Sequence, residues 1–188
     1  LLSSLQIEPR WVVGHSAGAA ILAQMCLDKT IHPAALISVN GALQPFGQSS
    51  AHIFSRAARF LARRNLVSYI ISLHSISLKT TERMIRAPGS HPVESTFNHY
   101  RHLVAIPGHV NAALRMMAGW DLEALDINLE KLIPPLFLVT CLNDQTVSPS
   151  QARALSHRLT NSILKEIPVL GHLGHEESPD VFMSLFNE

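Results

Sequence analysis

The sequence has little of what marks several common protein classes. Its two cysteines, Cys26 and Cys141, show neither metal-ligand spacing nor the density of a disulfide scaffold, which excludes a small cysteine-stapled fold and favours a reducing, cytoplasmic compartment. No uninterrupted apolar run reaches the roughly 18 residues needed to cross a bilayer. The first ten residues, LLSSLQIEPR, carry neither the basic start nor the apolar core of a secretory signal. They also lack an initiator Met and read as if the chain starts partway through a helix, so a truncated sequence is expected. There is no internal repeat or low-complexity segment. Charge is scarce, with 15% Asp, Glu, Lys and Arg and a formal net charge of +1, so the chain as a whole offers no argument for nucleic acid.

What is present points to a soluble α/β domain. Of the 188 residues, 47% are hydrophobic, enough for a substantial core. Charge is unevenly spread: between Gly47 and Trp120 nine Lys and Arg face two acids, Glu82 and Glu94. The pattern RWVVGHS predicts a strand, and AGAAILAQMCLD predicts a helix with Ile21, Leu22, Met25 and Cys26 on one face. HPAALISVNG predicts a second strand between Pro33 and Gly41. The basic middle predicts helices, with Ile53, Phe54, Ala57, Phe60 and Leu61 on one stripe and Val110, Ala113, Leu114 and Met117 on another.

PPLFLVTCLND predicts a buried strand stopped at Asn143 and Asp144. A helix then opens with Ser148 as N-cap, Pro149 at its first position and Gln151 completing a capping box. SILKEIPV predicts the last strand, and SPDVFMSLFNE a closing helix behind Ser178 and Pro179. This order, strand-helix, strand, helical segment, then two more strand-helix pairs, predicts a parallel sheet covered by helices.

The chemistry centres on GHSAG, residues 14–18, a G-x-S-x-G pattern between a strand and a helix. That context suits a nucleophile elbow, with Ser16 on a strained turn and its hydroxyl exposed. Gly14 and Gly18 are both expected to lack room for a Cβ. The helix starting at Ala17 aims a free N–H and a positive dipole end at an oxyanion, making Ala17 an oxyanion donor. The alternative is a tight turn with a packing serine.

A nucleophilic serine needs a base and a group that orients it. Asp144 and His172 each follow a predicted strand, on the sheet edge where Ser16 lies, and the order Ser, Asp, His is that of α/β-hydrolases. In such a triad Asp144 accepts the His172 Nδ1 proton and His172 deprotonates Ser16. His175 is the alternative base, and Asp121 and Asp126 are alternative acids. Asn40, at the end of the preceding strand, cannot serve as a carboxylate. The H-x-x-H-E segment at 172–176 does not match the zincin order, and neither a metal nor a cofactor is expected.

The chain resembles the C-terminal part of an α/β-hydrolase fold. More narrowly it is similar to the magnesium chelatase accessory family of bacteriochlorophyll-synthesising bacteria, on the segments GHSAGAAILAQM, LISVNGALQPFG, IPGHVNAALRMMAGWDL, DQTVSPSQAR and LGHLGHEESP. The resemblance implies residues 1–46 and 121–188 as parts of the hydrolase core and 47–120 as a helical lid. It implies Ser16, Asp144 and His172 as the triad, and a small-molecule substrate or a tetrapyrrole in an apolar pocket under the lid. Magnesium chelatase subunits are the implied partners, and the basic lid also suits contact with an anionic membrane surface. The other reading is a generic serine esterase of small apolar acyl substrates.

Two departures stand out. Cys141 lies where relatives often have glycine before the acid, which questions the local turn geometry. The family also has further strands ahead of the elbow strand, which would leave Val12 and Val13 on an apolar sheet edge and this chain alone poorly soluble and inactive.

Overall fold

The computed structural model describes residues 2–45, 78–119 and 122–185. The stripe at Ile53 to Leu61, and with it Arg56, Arg59, Arg63 and Arg64, lies outside them, as does the alternative acid Asp121. The chain forms two compact units. Residues 1–45 and 121–169 make the first, and residues 46–120 and 170–188 the second.

The first unit is a four-stranded parallel sheet in the order β1-β2-β3-β4. Its strands are β1 (Trp11–His15), β2 (Ala35–Val39), β3 (Leu136–Cys141) and β4 (Ser162–Ile167). Central strands of a parallel sheet are covered on both faces and need continuous apolar runs rather than alternation. β2, ALISV, is buried at every position, and β3 at all but Phe137. The two border strands alternate instead. In β1, Val12 is buried while Trp11 and Val13 are exposed, so only every second residue of this border presents apolar surface. On the opposite border β4 exposes Lys165 and Glu166, charges that discourage strand addition.

Among the described residues three α-helices flank the sheet in this unit: α1 (Ala17–Leu27), α5 (Leu122–Asn128) and α6 (Pro149–Arg158). The labels α2 to α4 belong to the second unit. The inward face of α1 is Ala19, Ala20, Ala23 and Cys26, whereas Ile21 is exposed and Leu22 and Met25 are partly so. The buried face differs from the expected apolar one because the helix sits so close to the sheet that only small side chains fit beneath it. Helix α6 begins as predicted, with Ser148 as N-cap and Pro149 first. The capping box does not form: Ser148 Oγ accepts from Ser150 N at 3.4 Å, and Gln151 Nε2 donates to the Pro45 carbonyl at 3.1 Å instead.

Asn40 ties the two central strands together at their C-terminal ends. Its backbone is left-handed, with φ 45°, and its side chain is buried. Its amide donates to the Val139 carbonyl at 2.8 Å, and its Oδ1 accepts from Cys141 N at 2.8 Å. Cys141 is thereby a regular end to β3, paired in register with Ile167, and the turn after it forms with cysteine in place.

The second unit contains α2 (Leu78–Arg86), α3 (Glu94–Val104), α4 (Pro107–Gly119), α7 (Gly174–Glu177) and α8 (Pro179–Leu185). Its described core joins Ile85 of α2, Phe97 of α3 and Leu173, with Tyr100 packed alongside. Val110 is buried on α4 as its stripe predicts, with Ala113 and Leu114 partly so. Arg86 lies over the Phe97 ring at 5.2 Å and pairs with Glu82 at 2.8 Å. Among the described residues no helix is long and apolar enough to cross a membrane.

Replacing Asn40 by Ala leaves the buried Cys141 amide without its side-chain acceptor and puts a residue that visits the left-handed region less readily than Asn in that turn. Asn40→Ala is expected to lower unfolding stability by about 1–3 kcal/mol, measured by urea titration.

Candidate active site

Strand β1 ends at His15 and α1 begins at Ala17, so Ser16 alone makes the turn between them. Its backbone takes φ 51° and ψ −116°. For a non-glycine residue this conformation costs about 1–3 kcal/mol and persists only where its surroundings hold it. Three hydrogen bonds do so. Ser16 N donates to the Val39 carbonyl at 3.0 Å, and the Ser16 carbonyl accepts from Ala42 N at 3.0 Å and Ala19 N at 3.2 Å. The partly exposed serine is thus held in the shape of a nucleophile elbow.

The two glycines of the motif play different parts. A Cβ on Gly14 would lie 2.5 Å from Ala19 N and 2.6 Å from its Cα, both backbone, so β1 and α1 meet only because that atom is absent. A Cβ on Gly18, against expectation, would meet nothing within 4 Å, and space does not require glycine there. A third glycine, Gly41, underlies the elbow: a Cβ there would overlap the Ser38 hydroxyl and crowd the Ala19 methyl. Ala17 is the first residue of α1, so its N–H belongs to the first turn, where amides have no partner within the helix.

Asp144 lies three residues beyond β3, at the same C-terminal sheet edge as Ser16, with β2 between their strands. It is 5% exposed. Its amide closes the turn onto the Cys141 carbonyl at 3.1 Å, and its Oδ1 accepts from Thr146 N at 2.7 Å and Val147 N at 2.9 Å. Two backbone donors on one oxygen fix the carboxylate plane. Asp126, the described alternative acid, is engaged elsewhere: its Oδ1 accepts from Arg158 at 2.6 Å and from Gln44 at 3.1 Å.

His172 belongs to the second unit, in the segment between β4 and α7, and is 8% exposed. His175 lies on α7, edge-on to Phe182 at 6.2 Å and 3.8 Å from Glu176. Burial lowers the His175 pKa, the Glu176 carboxylate opposes that shift, and nearby His172 adds to it. Tyr100 donates to Glu176 at 2.7 Å, and burial together with that carboxylate raises the pKa of the phenol. The sheet unit therefore brings Ser16, Ala17 and Asp144 to one edge, while both candidate bases lie in the other unit.

Sequence reasoning missed three contributors. Asn40 has no carboxylate and so drew no role, although an Asn closing a buried strand is a signal for a left-handed tie. Ser90 and Tyr100 carry no local motif, and their partners lie 83 and 76 residues away. Among the described residues no group of three or more His, Cys, Asp or Glu could hold a metal ion.

Residues 1–185 match the profile described as the Alpha/beta hydrolase family. The chain belongs to that family. It is 30% identical over 180 residues to a protein named the magnesium-chelatase 30 kDa subunit of Rhodobacter capsulatus, covering 96% of this chain and 62% of that one. The chain thus spans less than two-thirds of the curated relative it matches. Among solved structures, an alpha/beta hydrolase fold protein from Burkholderia ambifaria aligns with a TM-score of 0.72 at 20% identity, over 98% of this chain and 67% of that one. A thermophilic esterase from Thermogutta terrifontis, with malate bound, aligns with a TM-score of 0.70 at 21% identity, over 99% and 66%. These two likenesses show the fold.

The glycine geometry gives a paired prediction. Gly14→Ala is expected to destabilise by about 3 kcal/mol or more, since backbone must move. Gly18→Ala is expected to be neutral or to stabilise by up to about 1 kcal/mol, as a helix position with open space. Thermal unfolding of the two variants side by side checks both.

The His175 shift sets a pH dependence. With the folded pKa below the ordinary value of about 6.5, the unfolded chain takes up the proton first, and stability present above that pH is lost as pH falls through it. Urea midpoints are expected to drop on acidification below about pH 6.5, and His175→Gln to flatten that slope.

Proposed function

We infer that this is an α/β-hydrolase-fold protein of the magnesium chelatase accessory type, serving magnesium insertion into a tetrapyrrole, with Ser16, Asp144 and His172 as a working triad. The observation that carries the accessory role is the 30% identity, sustained over 180 residues, to the magnesium-chelatase 30 kDa subunit. Likeness over so much of the chain includes the residues between β2 and β3, the segment proposed as a lid over an apolar pocket. Its basic side chains suit the carboxylates of a flat apolar ligand, since guanidinium groups pair bidentately with carboxylates. Lys79, Arg83 and Arg115 are exposed and Arg101 partly buried, while Arg86 is committed to Glu82 and Phe97.

The triad draws on separate support. Ser16 is held in a costly backbone geometry, and Asp144 is buried and oriented by two amides. The ends of β1 and β3 are two strand spacings apart, about 10 Å. Once the serine and aspartate side chains extend inward, that gap suits an imidazole hydrogen-bonded on both sides at about 2.8 Å. In this reading His172 supplies the imidazole, taking the Ser16 proton as the hydroxyl attacks an acyl carbon, and Ala17 N–H meets the resulting oxyanion.

The same strained serine favours a second reading, a serine esterase of small apolar acyl substrates used for its hydrolysis alone. One experiment separates the two. Magnesium-protoporphyrin formation by the chelatase is measured with the protein, with Ser16→Ala, and without either. Formation that needs the protein supports the accessory role, and unchanged formation without it overturns that role. A fluorophosphonate probe is expected to label the wild-type protein at Ser16 and to miss Ser16→Ala, and a folded protein that resists the probe sinks the triad.

A further inference from the structure

The segment that carries His172 is gripped on both sides by one turn of the second unit, residues 88–90 between α2 and α3. On the upstream side, a Cβ on Gly171 would overlap the Gly89 carbonyl group and lie 2.7 Å from Ser90 N, so the two chains run flush. At His172 itself the amide faces the Pro88 carbonyl at a long 3.4 Å. On the downstream side Leu173 N donates to Ser90 Oγ at 2.8 Å. Ser90 is 0% exposed, and the Leu173 side chain joins Ile85 and Phe97 in the unit's described core. Gly171 N is held in turn by Glu177 Oε1 at 3.0 Å.

A buried hydroxyl that accepts a backbone N–H 83 residues away in sequence does something a packing alanine could not. It fixes the peptide plane next to His172, and with it the direction in which the imidazole leaves the backbone. We propose that Ser90 is a positioning residue for His172, setting the orientation of the candidate base through the Leu173 amide. The proposal rests on the triad reading for its catalytic meaning, while the hold itself can be measured without any reaction. A base displaced by a fraction of an ångström loses rate steeply, because proton transfer needs a near-attack geometry.

The test uses the intact protein with Ser90→Ala and Ser90→Thr. The first removes the acceptor and the second keeps it. The His172 ring signal is followed by carbon-13 NMR, together with hydrogen exchange at the Leu173 amide. Ser90→Ala is expected to broaden or shift the ring signal, to speed Leu173 exchange at least tenfold, and to slow fluorophosphonate labelling of Ser16 by about tenfold. Ser90→Thr is expected to restore all three. If Ser90→Ala does not fold, Ser90→Cys, close in size but a poorer acceptor, is expected to move the same signals in the same direction. A His172 ring signal and Leu173 exchange rate unchanged in the folded Ala or Cys variant overturn the proposal. The triad reading fails separately, if His172→Ala is labelled at Ser16 as fast as the parent.

Discussion

The C-terminal edge of the sheet depends on a backbone that cannot relax. Ser16 occupies a conformation costing about 1–3 kcal/mol, and the neighbouring chain holds it there. The Val39 carbonyl takes its amide, and the Ala42 and Ala19 amides take its carbonyl. Those bonds require Asn40 and Gly41 to turn sharply beneath the elbow, which the left-handed Asn40 and the bare Gly41 allow. They also require α1 to approach β1 closely, which Gly14 and the alanines of α1 allow. Much of the local sequence therefore answers to one serine.

The second unit shows the same economy around a different residue. His172 lies between Gly171, pressed flat against Gly89, and Leu173, tied to Ser90 and buried with Ile85 and Phe97. Tyr100, packed beside that cluster, hydrogen-bonds Glu176 one turn further along. A polar segment is thus held by the close approach of two backbones, by side-chain acceptors on its amides and by a small apolar cluster.

The strands were legible because parallel central strands need apolar runs, and ALISV and LFLVTC are such runs. The sharp strand-to-helix turn at Ser16 was legible because Gly14, two residues before it, answers a steric demand where β1 meets α1. The buried face of α1 was not, because periodicity favours large apolar residues whereas the sheet admitted only small ones. Gly18 misled for the opposite reason: a motif position was read as a spatial need that the fold does not impose. The position of Asp144 just after β3 was legible, but the amides of Thr146 and Val147 that orient its carboxylate follow from turn geometry. Ser90 and Tyr100 were out of reach, since nothing near either residue announces a partner dozens of residues away.

Strands β2 and β3 are hydrogen-bonded neighbours, yet close to a hundred residues separate Val39 from Leu136. The entropy of closing a loop grows only with the logarithm of its length, about 0.6 kcal/mol per doubling. Stretching a six-residue connection to this length takes about four doublings and so costs about 2.4 kcal/mol. The sheet can therefore host a long excursion at that point at a cost comparable to what one well-packed leucine contributes, and segments of different length could be exchanged there without redesigning the strands that flank it.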